Sequence, residues 1–299
     1  MVSPVSASLV TTIAPEVKPF LKWAGGKSQL LGQIAPYLPT QCRCYAEPFC
    51  GSAALYWYVY RQSQQGAFSL QQVRLGDRNP ELINCYEMVR DRVEDLILLL
   101  SEYRQQHSKT FYYHIRSLAH QQLDPLTRAA RLIYLNKTCF NGLYRVNRAG
   151  QFNVPMGSYR NPQIADAATL RLASAALQNV CLEVADFPAV LQWASAGDFI
   201  YFDPPYYPLS KTASFTSYTH HPFGAAEHHA LAEVVAELDR RGCYVMVSNA
   251  WVEPVLSLYQ RWQCIELKAG RVINAHGHKR GKISELLVIN YPREGEGCP

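Results

Sequence analysis

The sequence Asp203-Pro204-Pro205-Tyr206 places a carboxylate, a rigid corner and an aromatic ring in four consecutive positions. It follows residues 199–202, four apolar or aromatic residues that are typical of a buried strand. Because proline lacks an N–H donor and fixes φ, we expect this strand to end at Asp203. The carboxylate should then lie at the carboxyl end of a strand, where open α/β sheets bind ligands.

These groups suit a planar ring that carries an exocyclic amine. The Asp203 carboxylate and the Pro204 carbonyl could accept both hydrogens of the amine while Tyr206 stacks on the ring. Asp-Pro-Pro is also common turn chemistry, and the aromatic residues could simply pack in the core. The rest of the chain has to distinguish a catalytic site from a turn.

Two earlier segments indicate a pocket for a nucleoside. Residues 45–55 have the pattern of a strand, a turn and a helix, and the small residues at 50–54 would let the backbone approach a ligand closely. Asp77 follows a second predicted strand at 72–76, and an acid at this position commonly binds ribose hydroxyls. The glycines lack the full dinucleotide fingerprint, so the pattern favours a nucleoside-containing cofactor without a pyrophosphate.

The sequence Gly25-Gly26-Lys27-Ser28 matches part of a phosphate-binding loop. That loop requires a glycine five residues before Gly26, but the residue there is Leu21. A nucleoside triphosphatase is therefore disfavoured. What remains is a glycine turn that opens a helix, where the helix N-terminus and Lys27 could bind a carboxylate.

Length and composition indicate a globular protein. With 299 residues, of which 48% are hydrophobic, the chain can form one large domain, alone or with an insertion. No apolar run approaches the roughly 20 residues of a membrane-spanning helix, so we expect no membrane partner. Residues 1–19 have no signal-peptide pattern and are expected to form a flexible tail. The nine cysteines lack zinc-ligand spacing, which predicts free, mostly buried thiols in a reducing cytoplasm; a monomer is the default expectation.

The net charge of +5 is unevenly distributed along the chain. Residues 125–165 contain no acid, and neither do residues 267–284. Their basic residues are Arg128, Arg131, Lys137, Arg145, Arg148 and Arg160 in the first stretch, and Lys268, Arg271, Lys279, Arg280 and Lys282 in the second. Two such stretches favour a polyanionic partner such as nucleic acid over an ordinary solvated surface.

The run from residue 135 to residue 155 has the composition of a base-reading loop. Asn141-Gly142 is a tight-turn signal, and the flanking residues mix Arg, Asn, Gln and aromatic side chains. Such side chains read base edges, and Arg pairs bidentately with guanine. A two-stranded ribbon or loop that enters a groove fits this pattern, although a plain surface hairpin would share it.

Strand and helix patterns alternate over most of the chain, which predicts an α/β fold with a mostly parallel, doubly wound sheet. We expect seven strands, at 44–48, 72–76, 180–184, 199–203, 243–248, 263–267 and 285–291. The last two follow each other without a helix and should form an antiparallel hairpin at the edge. Residues 81–104 have the pattern of one long helix, followed by shorter helices at 109–118 and 126–135. Residues 80–162 should form an inserted, mainly helical domain between the two parts of a sheet domain, 20–79 and 163–299.

Four segments together resemble the Dam-type DNA adenine N6-methyltransferases of the D12 class, with the alpha order of motifs. They are Phe-Leu-Lys-Trp-Ala-Gly-Gly-Lys at 20–27, Glu-Pro-Phe-Cys-Gly-Ser at 47–52, the run from 136 to 155, and Asp-Pro-Pro-Tyr at 203–206. The resemblance spans about 20 to 290. It implies a Rossmann-like catalytic domain that binds S-adenosylmethionine and an inserted domain that recognises double-stranded DNA, in the cytoplasm at the nucleoid.

The resemblance also implies a role for particular residues. The cofactor would be contacted by Trp23 and Lys27 at its methionine end, Phe49 and Gly51 on the pocket floor, Asp77 at the ribose, Asp186 and Phe187 beside the adenine, and Asp203. The catalytic residues would be Asp203, Pro204 and Tyr206. DNA would be contacted by Lys137, Asn141, Leu143, Arg145, Asn147 and Arg148, with Arg145 reading guanine and Lys137, Arg148 and the loop 268–282 binding phosphates. The departure is Ala53, where the family usually has a second glycine; its methyl group is expected to narrow the loop.

The implied mechanism follows from the chemistry of the adenine amine. The N6 lone pair is delocalised into the ring, so two hydrogen-bond acceptors are needed to pyramidalise the nitrogen and direct the lone pair toward the sulfonium methyl. No metal is required because the leaving group is a neutral thioether. The base must leave the duplex to reach the pocket, and the resemblance of the loop suggests GATC as the target. Methylation of cytosine N4 or of RNA, and a DNA-binding protein that has lost catalysis, remain alternatives.

Overall fold

The computed structural model describes residues 16–207, 223–269 and 283–292. In these residues a seven-stranded sheet has the order β3-β2-β1-β4-β5-β7-β6. Its strands are β1 (Gln41–Glu47), β2 (Ser69–Asp77), β3 (Val180–Val184), β4 (Phe199–Phe202), β5 (Tyr244–Ala250), β6 (Gln263–Ala269) and β7 (Ile283–Ile289). The first five strands are parallel, and β7 pairs antiparallel with both β5 and β6. The prediction of a mostly parallel, Rossmann-like sheet with an antiparallel edge pair is therefore confirmed.

Helices connect the strands and cover the sheet. The α-helices of the described residues are α1 (Leu31–Ile34), α2 (Ala54–Gln64), α3 (Pro80–Asp91), α4 (Val93–Gln105), α5 (Lys109–Ser117), α6 (Pro125–Thr138), α7 (Ala167–Leu177), α8 (Ala225–Arg240) and α9 (Glu253–Tyr259). Short 3₁₀ helices lie at Lys27–Gln29, Ala35–Tyr37, His120–Gln122, Phe140–Gly142 and Phe187–Gln192.

The strand order sets the position of the ligand site. β1 pairs with β2 on one side and with β4 on the other, so the direction of winding reverses between β1 and β4. Ligands of open α/β sheets bind beyond the carboxyl ends of the strands at such a switch point. Here β1 ends at Glu47, β2 ends at Asp77 and Asp203 follows β4, which brings three carboxylates to this edge.

The long helix predicted over residues 81–104 is wrong: it is two helices. The backbone leaves the helical region at Arg92, which has φ −137° and ψ 39°. Glu94 and Asp95 lie in the first turn of α4, where carboxylates interact favourably with the helix dipole, and Arg92 donates to Asp95. The apolar spacing continues through this break, so periodicity alone could not reveal it.

The helical region packs directly on the sheet. α3 contacts β2, β3, α6 and α7, and one continuous hydrophobic cluster contains Tyr45 of β1 together with Tyr86 and Tyr134 of the helical region. The boundary at residue 80 lies inside this packing because Asn79 caps α3 and Pro80 is its first residue. The division of the chain into two domains at 80 and 162 therefore stays a prediction.

A short hairpin lies in the predicted base-reading run. Val146 and Phe152 form an antiparallel bridge, and the Asn153 N–H donates to the Arg145 carbonyl at 3.1 Å. The predicted tight turn precedes this hairpin: Asn141 and Gly142 both have positive φ, 55° and 64°. Asn tolerates this region better than most residues, and Gly adopts it freely.

The first basic stretch is only partly a charged surface. Arg128 pairs with Glu81, and the buried Arg131 donates to the carbonyls of Ile115 and Arg116. Arg145, Arg148 and Arg160 are exposed. In the second stretch only Lys268 lies within the described residues. Three of the six basic residues of the first stretch are therefore exposed.

Three further predictions concern the cysteines, membrane-spanning helices and the N-terminal tail. Eight of the nine cysteines lie within them, all as free thiols, and six of these are buried. None of the helices described by the structure is both long and apolar enough to cross a bilayer. The expected N-terminal tail falls almost entirely on residues 1–15, outside the described residues.

Candidate active site

A cavity of about 320 Å³ opens at the carboxyl ends of β1, β2 and β4. The residues that line it and that the sequence singled out are Trp23, Lys27, Phe49, Gly51, Asp77, Asp203, Pro204 and Tyr206. They come from four separate segments of the chain, and the sheet brings them together because parallel strands present their carboxyl ends at one edge. Asp203, the acid of the Asp-Pro-Pro-Tyr sequence, therefore lies in a cavity of ligand size and not in a surface turn.

The Asp203 carboxylate is bound by Lys27. The Lys27 ammonium lies 2.6 and 2.8 Å from its two oxygens and also donates to the Gly25 carbonyl at 2.7 Å. Lys27 is 4% exposed. Burial raises the pKa of Asp203 above its usual range, and the Lys27 charge opposes that rise. An ionised carboxylate still offers further acceptor positions when it binds a lysine, so this pairing leaves Asp203 able to accept hydrogen bonds.

Tyr206 is held from two sides. Its hydroxyl donates to Glu285 of β7 at 2.5 Å, and the Lys27 ammonium lies 4.7 Å from the centre of its ring. The next residue is anchored as well, because the Tyr207 N–H donates to the side-chain oxygen of Asn249, a fully buried residue of β5. The segment after β4 is thus fixed to β5 and β7, which orients the Tyr206 ring in the cavity wall.

Glu47 is a buried acid of the same cavity that the sequence analysis did not single out. Its Oε1 accepts from the Tyr45 hydroxyl at 2.5 Å and from the Tyr56 N–H at 2.7 Å. Burial raises the pKa of Glu47 to about 8, against the effect of these hydrogen bonds. The signal for its position was present, since Glu47 lies near the end of the strand predicted at 44–48, just before a glycine turn.

Asp77 lies at the end of β2 with two backbone donors. It accepts from the Asn79 N–H at 2.9 Å and from the Gly51 N–H at 3.2 Å. Burial raises the pKa of Asp77 to about 6, and these hydrogen bonds limit the rise. The carboxylate therefore connects the turn after β1 to the turn after β2, and its remaining acceptor positions are available to hydroxyl donors.

Gly51 is required by both conformation and space. Its φ is +48°, and a Cβ on it would lie 2.8 Å from Cδ1 of Trp23. Trp23 therefore packs directly on the turn after β1. Any side chain at residue 51 would displace the Trp23 ring or the turn, because real Cβ atoms essentially never come so close to another atom.

Ala53 stands where the family usually has a second glycine, and the structure shows where its methyl group lies. Ala53 also has positive φ, +51°, and is fully buried, but it does not line the cavity. Its methyl group therefore lies outside the cavity lining, and the expected narrowing of the loop stays a prediction. An L-residue in the left-handed region costs about 1–2 kcal/mol, so the departure from glycine acts on backbone strain.

Two residues expected beside the cofactor adenine stand behind the cavity wall. Phe187 is buried and stacks on Phe49, with ring centres 5.6 Å apart, so it supports a residue that does line the cavity. Asp186 lies 3.8 Å from Arg78, another lining residue. Both residues contact a lining residue and do not line the cavity themselves. Sequence spacing cannot distinguish a lining residue from one that supports it.

The residues expected to contact DNA separate into two groups. Asn141, Leu143, Arg145, Asn147 and Arg148 are exposed on the turn and hairpin, whereas Lys137 is half-buried on α6, where burial lowers its pKa. The Arg145 guanidinium donates to Asn153 Oδ1 at 2.7 Å, and the Asn147 side chain bonds Gln151 at 3.0 Å. Sequence reasoning missed Phe140, an apolar side chain 51% exposed just before the Asn141-Gly142 turn.

The strand order places the acid–tyrosine site at the switch point of a Rossmann-like sheet, where enzymes of this fold bind their ligands. Residues 23–273 match the family model of the D12 class N6 adenine-specific DNA methyltransferases. The chain therefore belongs to that family, and the resemblance inferred from the four sequence segments is confirmed.

Curated relatives match over nearly the whole chain. The sequence is 42% identical to the Type II methyltransferase M.MjaIII of Methanocaldococcus jannaschii, over 92% of this chain and 100% of the relative. It is 39% identical to the Type II methyltransferase M1.LlaDCHI of Lactococcus lactis subsp. cremoris, over 92% and 96%. It is 33% identical to the DNA adenine methylase of Escherichia coli K12, over 91% and 95%.

Proposed function

We propose that this enzyme transfers a methyl group from S-adenosylmethionine to N6 of an adenine that has left the DNA duplex, within the sequence GATC. The observation that carries the proposal is the Asp203 carboxylate, which shares one cavity with Tyr206, Asp77 and Gly51. One cavity thereby contains a hydrogen-bond acceptor for an amine, an aromatic ring that can stack on a base, and a carboxylate suited to a nucleoside. Family membership supports the same chemistry.

The cavity fits the cofactor. Its volume of about 320 Å³ lies within the range of ligand pockets, roughly 300–1,000 Å³. Asp77 at the end of β2 offers a carboxylate to ribose hydroxyls. Gly51 lets the Trp23 ring pack closely against the turn that lines the cavity. S-adenosylmethionine, when bound, supplies a sulfonium-activated methyl group and leaves as a neutral thioether.

Different residues of the cavity would hold different parts of the cofactor. Trp23 and Lys27 would contact its methionine end, while Phe49 and Gly51 would form the floor beside it. Phe187 would act by supporting Phe49, and Asp186 by orienting Arg78. This assignment adapts the family pattern to the positions of the side chains in this chain.

Asp203 and the Pro204 carbonyl would accept the two hydrogens of the adenine amine. An amine so bound becomes pyramidal, and its lone pair is released from conjugation with the ring. When N6 bonds to the methyl group and the thioether leaves, N6 also releases one of its two protons. Lys27 serves this step because its charge favours the ionised form of Asp203, which is the better acceptor. Tyr206 would stack on the base, with its ring orientation set by Glu285.

Recognition of DNA would use the exposed turn and hairpin. Arg145 would read guanine, with Leu143, Asn141 and Asn147 beside it, while Arg148 would contact phosphate. The exposed apolar side chains of Phe140 and Leu143 suit insertion into a base step, where they would offset the few kcal/mol that unstacking a base costs. The half-buried Lys137 could reach only a phosphate close to α6.

A transfer experiment tests the proposal. Purified enzyme is incubated with methyl-labelled S-adenosylmethionine and either a duplex that contains GATC, the same duplex with one GATC base pair exchanged, or an RNA of the same sequence. We expect label at adenine N6 in the first duplex only, and protection of that duplex from nucleases that are blocked by methylated GATC. Label on cytosine or RNA, or no label on any substrate, would refute the proposal; equal label on both duplexes would refute GATC alone.

A further inference from the structure

The segment that carries Trp23 is fastened to the turn that precedes the DNA-reading hairpin. Asn136, 1% exposed on α6, accepts from the Lys22 N–H at 2.8 Å and donates to the Lys22 carbonyl at 2.7 Å. The same amide donates to the Gly142 carbonyl at 3.1 Å. A Cβ on Gly142 would lie 2.8 Å from Cβ of Lys22, so the Gly142 backbone packs directly against the Lys22 side chain.

Tyr144 joins the same two regions through its side chain. Its ring stacks on Trp23 with ring centres 5.1 Å apart and planes 26° apart, and Trp23 packs against Gly51 on the cavity floor. Burial raises the pKa of Tyr144, and the nearby side chain of Asn79 opposes that rise. The Asn79 N–H in turn donates to Asp77 at 2.9 Å. Tyr144 thus lies against Trp23 and beside Asn79, two residues that line the cavity.

Tyr144 is also the residue next to Arg145. The Arg145 carbonyl accepts from the Asn153 N–H across the hairpin, so a displacement of the backbone at residue 144 would be passed directly to the hairpin pair. The Tyr144 ring further packs edge-on against Phe152, at 5.9 Å, on the opposite strand. The position of Trp23 and the orientation of the hairpin are therefore not independent.

We propose that Tyr144 is a positioning residue that couples cofactor binding to DNA recognition. The proposal rests on the function proposed above for Trp23, Asp77 and Arg145. A cofactor that fixes Trp23 and the Asp77 turn fixes the Tyr144 ring from both sides, which orders the hairpin that carries Arg145. By thermodynamic reciprocity, target DNA must then tighten cofactor binding by the same factor.

Cofactor affinity in the presence and absence of DNA measures this coupling. Calorimetry would give the Kd of S-adenosylhomocysteine, the unreactive product, for free enzyme and for enzyme saturated with the duplex that accepts methyl groups in the transfer assay. For the unaltered enzyme we expect the duplex to lower this Kd by a factor of about 5 to 150. In Tyr144→Leu the factor should fall to about 1, because both the stack and the hydroxyl are lost.

Two further variants separate coupling from general damage. Tyr144→Phe keeps the stack but loses the hydroxyl beside Asn79, and should reduce the factor about two- to tenfold, the size of effect expected for one polar interaction. Tyr113→Leu replaces a half-exposed tyrosine of α5 that packs on Arg116, and should leave the factor unchanged. If Tyr144→Leu does not fold, the comparison of Tyr144→Phe with Tyr113→Leu decides.

The outcomes distinguish this inference from the proposed function. Absence of methyl transfer by the unaltered enzyme would overturn the proposed function and the inference with it. If the unaltered enzyme transfers methyl groups but DNA does not change its cofactor Kd, only the inference fails. It also fails if the Tyr144 variants retain the full factor.

Discussion

Lys27 and Asp203 are 176 residues apart in the chain, yet the Lys27 ammonium contacts both carboxylate oxygens of Asp203 inside the cavity. Lys27 is almost completely buried and Asp203 is 20% exposed. A buried charge of this kind is stable only with its partner, because removing one member leaves the other without compensation. The pair therefore sets the ionisation of the acid and holds the glycine turn against the end of β4.

Replacing Asp203 with asparagine should remove catalysis with little change in shape. The carboxamide has one acceptor oxygen, and its NH₂ group would face the adenine amine as a second donor. We expect kcat to fall about 10²- to 10³-fold, as for loss of one oriented hydrogen-bonding group in a transition state. Single-turnover transfer at saturating cofactor and DNA measures the effect, and calorimetry should show cofactor affinity changed by less than about tenfold.

Asp203→Ala gives a second measure of the same role. Transfer should be abolished, but Lys27 would then be buried without its partner, at a cost of about 3–5 kcal/mol in stability. Thermal unfolding of each variant must therefore accompany the kinetics. Full activity of a folded Asp203→Asn enzyme would contradict the proposed role of the carboxylate.

Replacing Lys27 with glutamine should move the pH dependence of transfer. Activity requires the ionised form of Asp203, so the rate falls as the pH drops through the pKa of that acid. Burial raises this pKa and Lys27 lowers it. Without the charge the pKa of Asp203 rises further, and the acid limb of kcat should move to higher pH.

The measurement is kcat against pH at saturating cofactor, because Lys27 is also expected to contact the methionine end. Lys27→Arg preserves the charge and should leave the acid limb close to that of the unaltered enzyme. If Lys27→Gln kept the original limb while losing only cofactor affinity, Lys27 would act as a cofactor contact and not on Asp203.

Most of the fold could be predicted from local patterns. All seven predicted strands are present, with ends that differ from the prediction by up to three residues, because glycine, proline or polar residues lie near the ends of each. The break at Arg92 could not be predicted, because the apolar residues of α3 and α4 keep a helical spacing through it. A kink set by one backbone angle leaves no trace in periodicity.

The site could be predicted as a set of residues but not as a set of contacts. Sequence motifs identify Lys27 and Asp203 separately, and only the sheet shows that they pair. The sequence also does not show which of the other predicted site residues are buried. Phe187 packs behind Phe49, and Lys137 is half-buried although it lies in a basic stretch. Glu47 belongs to the motif at 47–52, but its burial and its hydrogen bonds with Tyr45 and Tyr56 are visible only in the structure.

Arg145→Ala should relax sequence choice more than it weakens general DNA binding. A bidentate contact between arginine and guanine contributes about 1–3 kcal/mol of discrimination, or roughly 5- to 150-fold between the target and a site with that base pair exchanged. Competition binding to both duplexes measures the ratio. Arg148→Ala, on the turn of the same hairpin, should instead weaken binding to every duplex alike and lower the salt slope by about 1. Unchanged discrimination in Arg145→Ala would place base recognition elsewhere.

Glu47→Gln should change how stability depends on pH. The pKa of Glu47 in the folded protein is about 8, against an ordinary value of 4.5, so the native state holds the proton more tightly than the unfolded state. The stability that this group contributes is complete below pH 4.5 and is lost as the pH rises to about 8. Over that range the loss is on the order of 5 kcal/mol. Glutamine keeps an oxygen acceptor for Tyr45 and Tyr56 but cannot ionise, so the variant should gain stability relative to the unaltered protein between pH 5 and pH 8.

Urea unfolding at several pH values measures this difference, and Glu94→Gln is the control, because the exposed Glu94 has a pKa lowered by Arg171 and stays ionised throughout. A difference that stays constant with pH for Glu47→Gln would mean that Glu47 is ionised in the native protein.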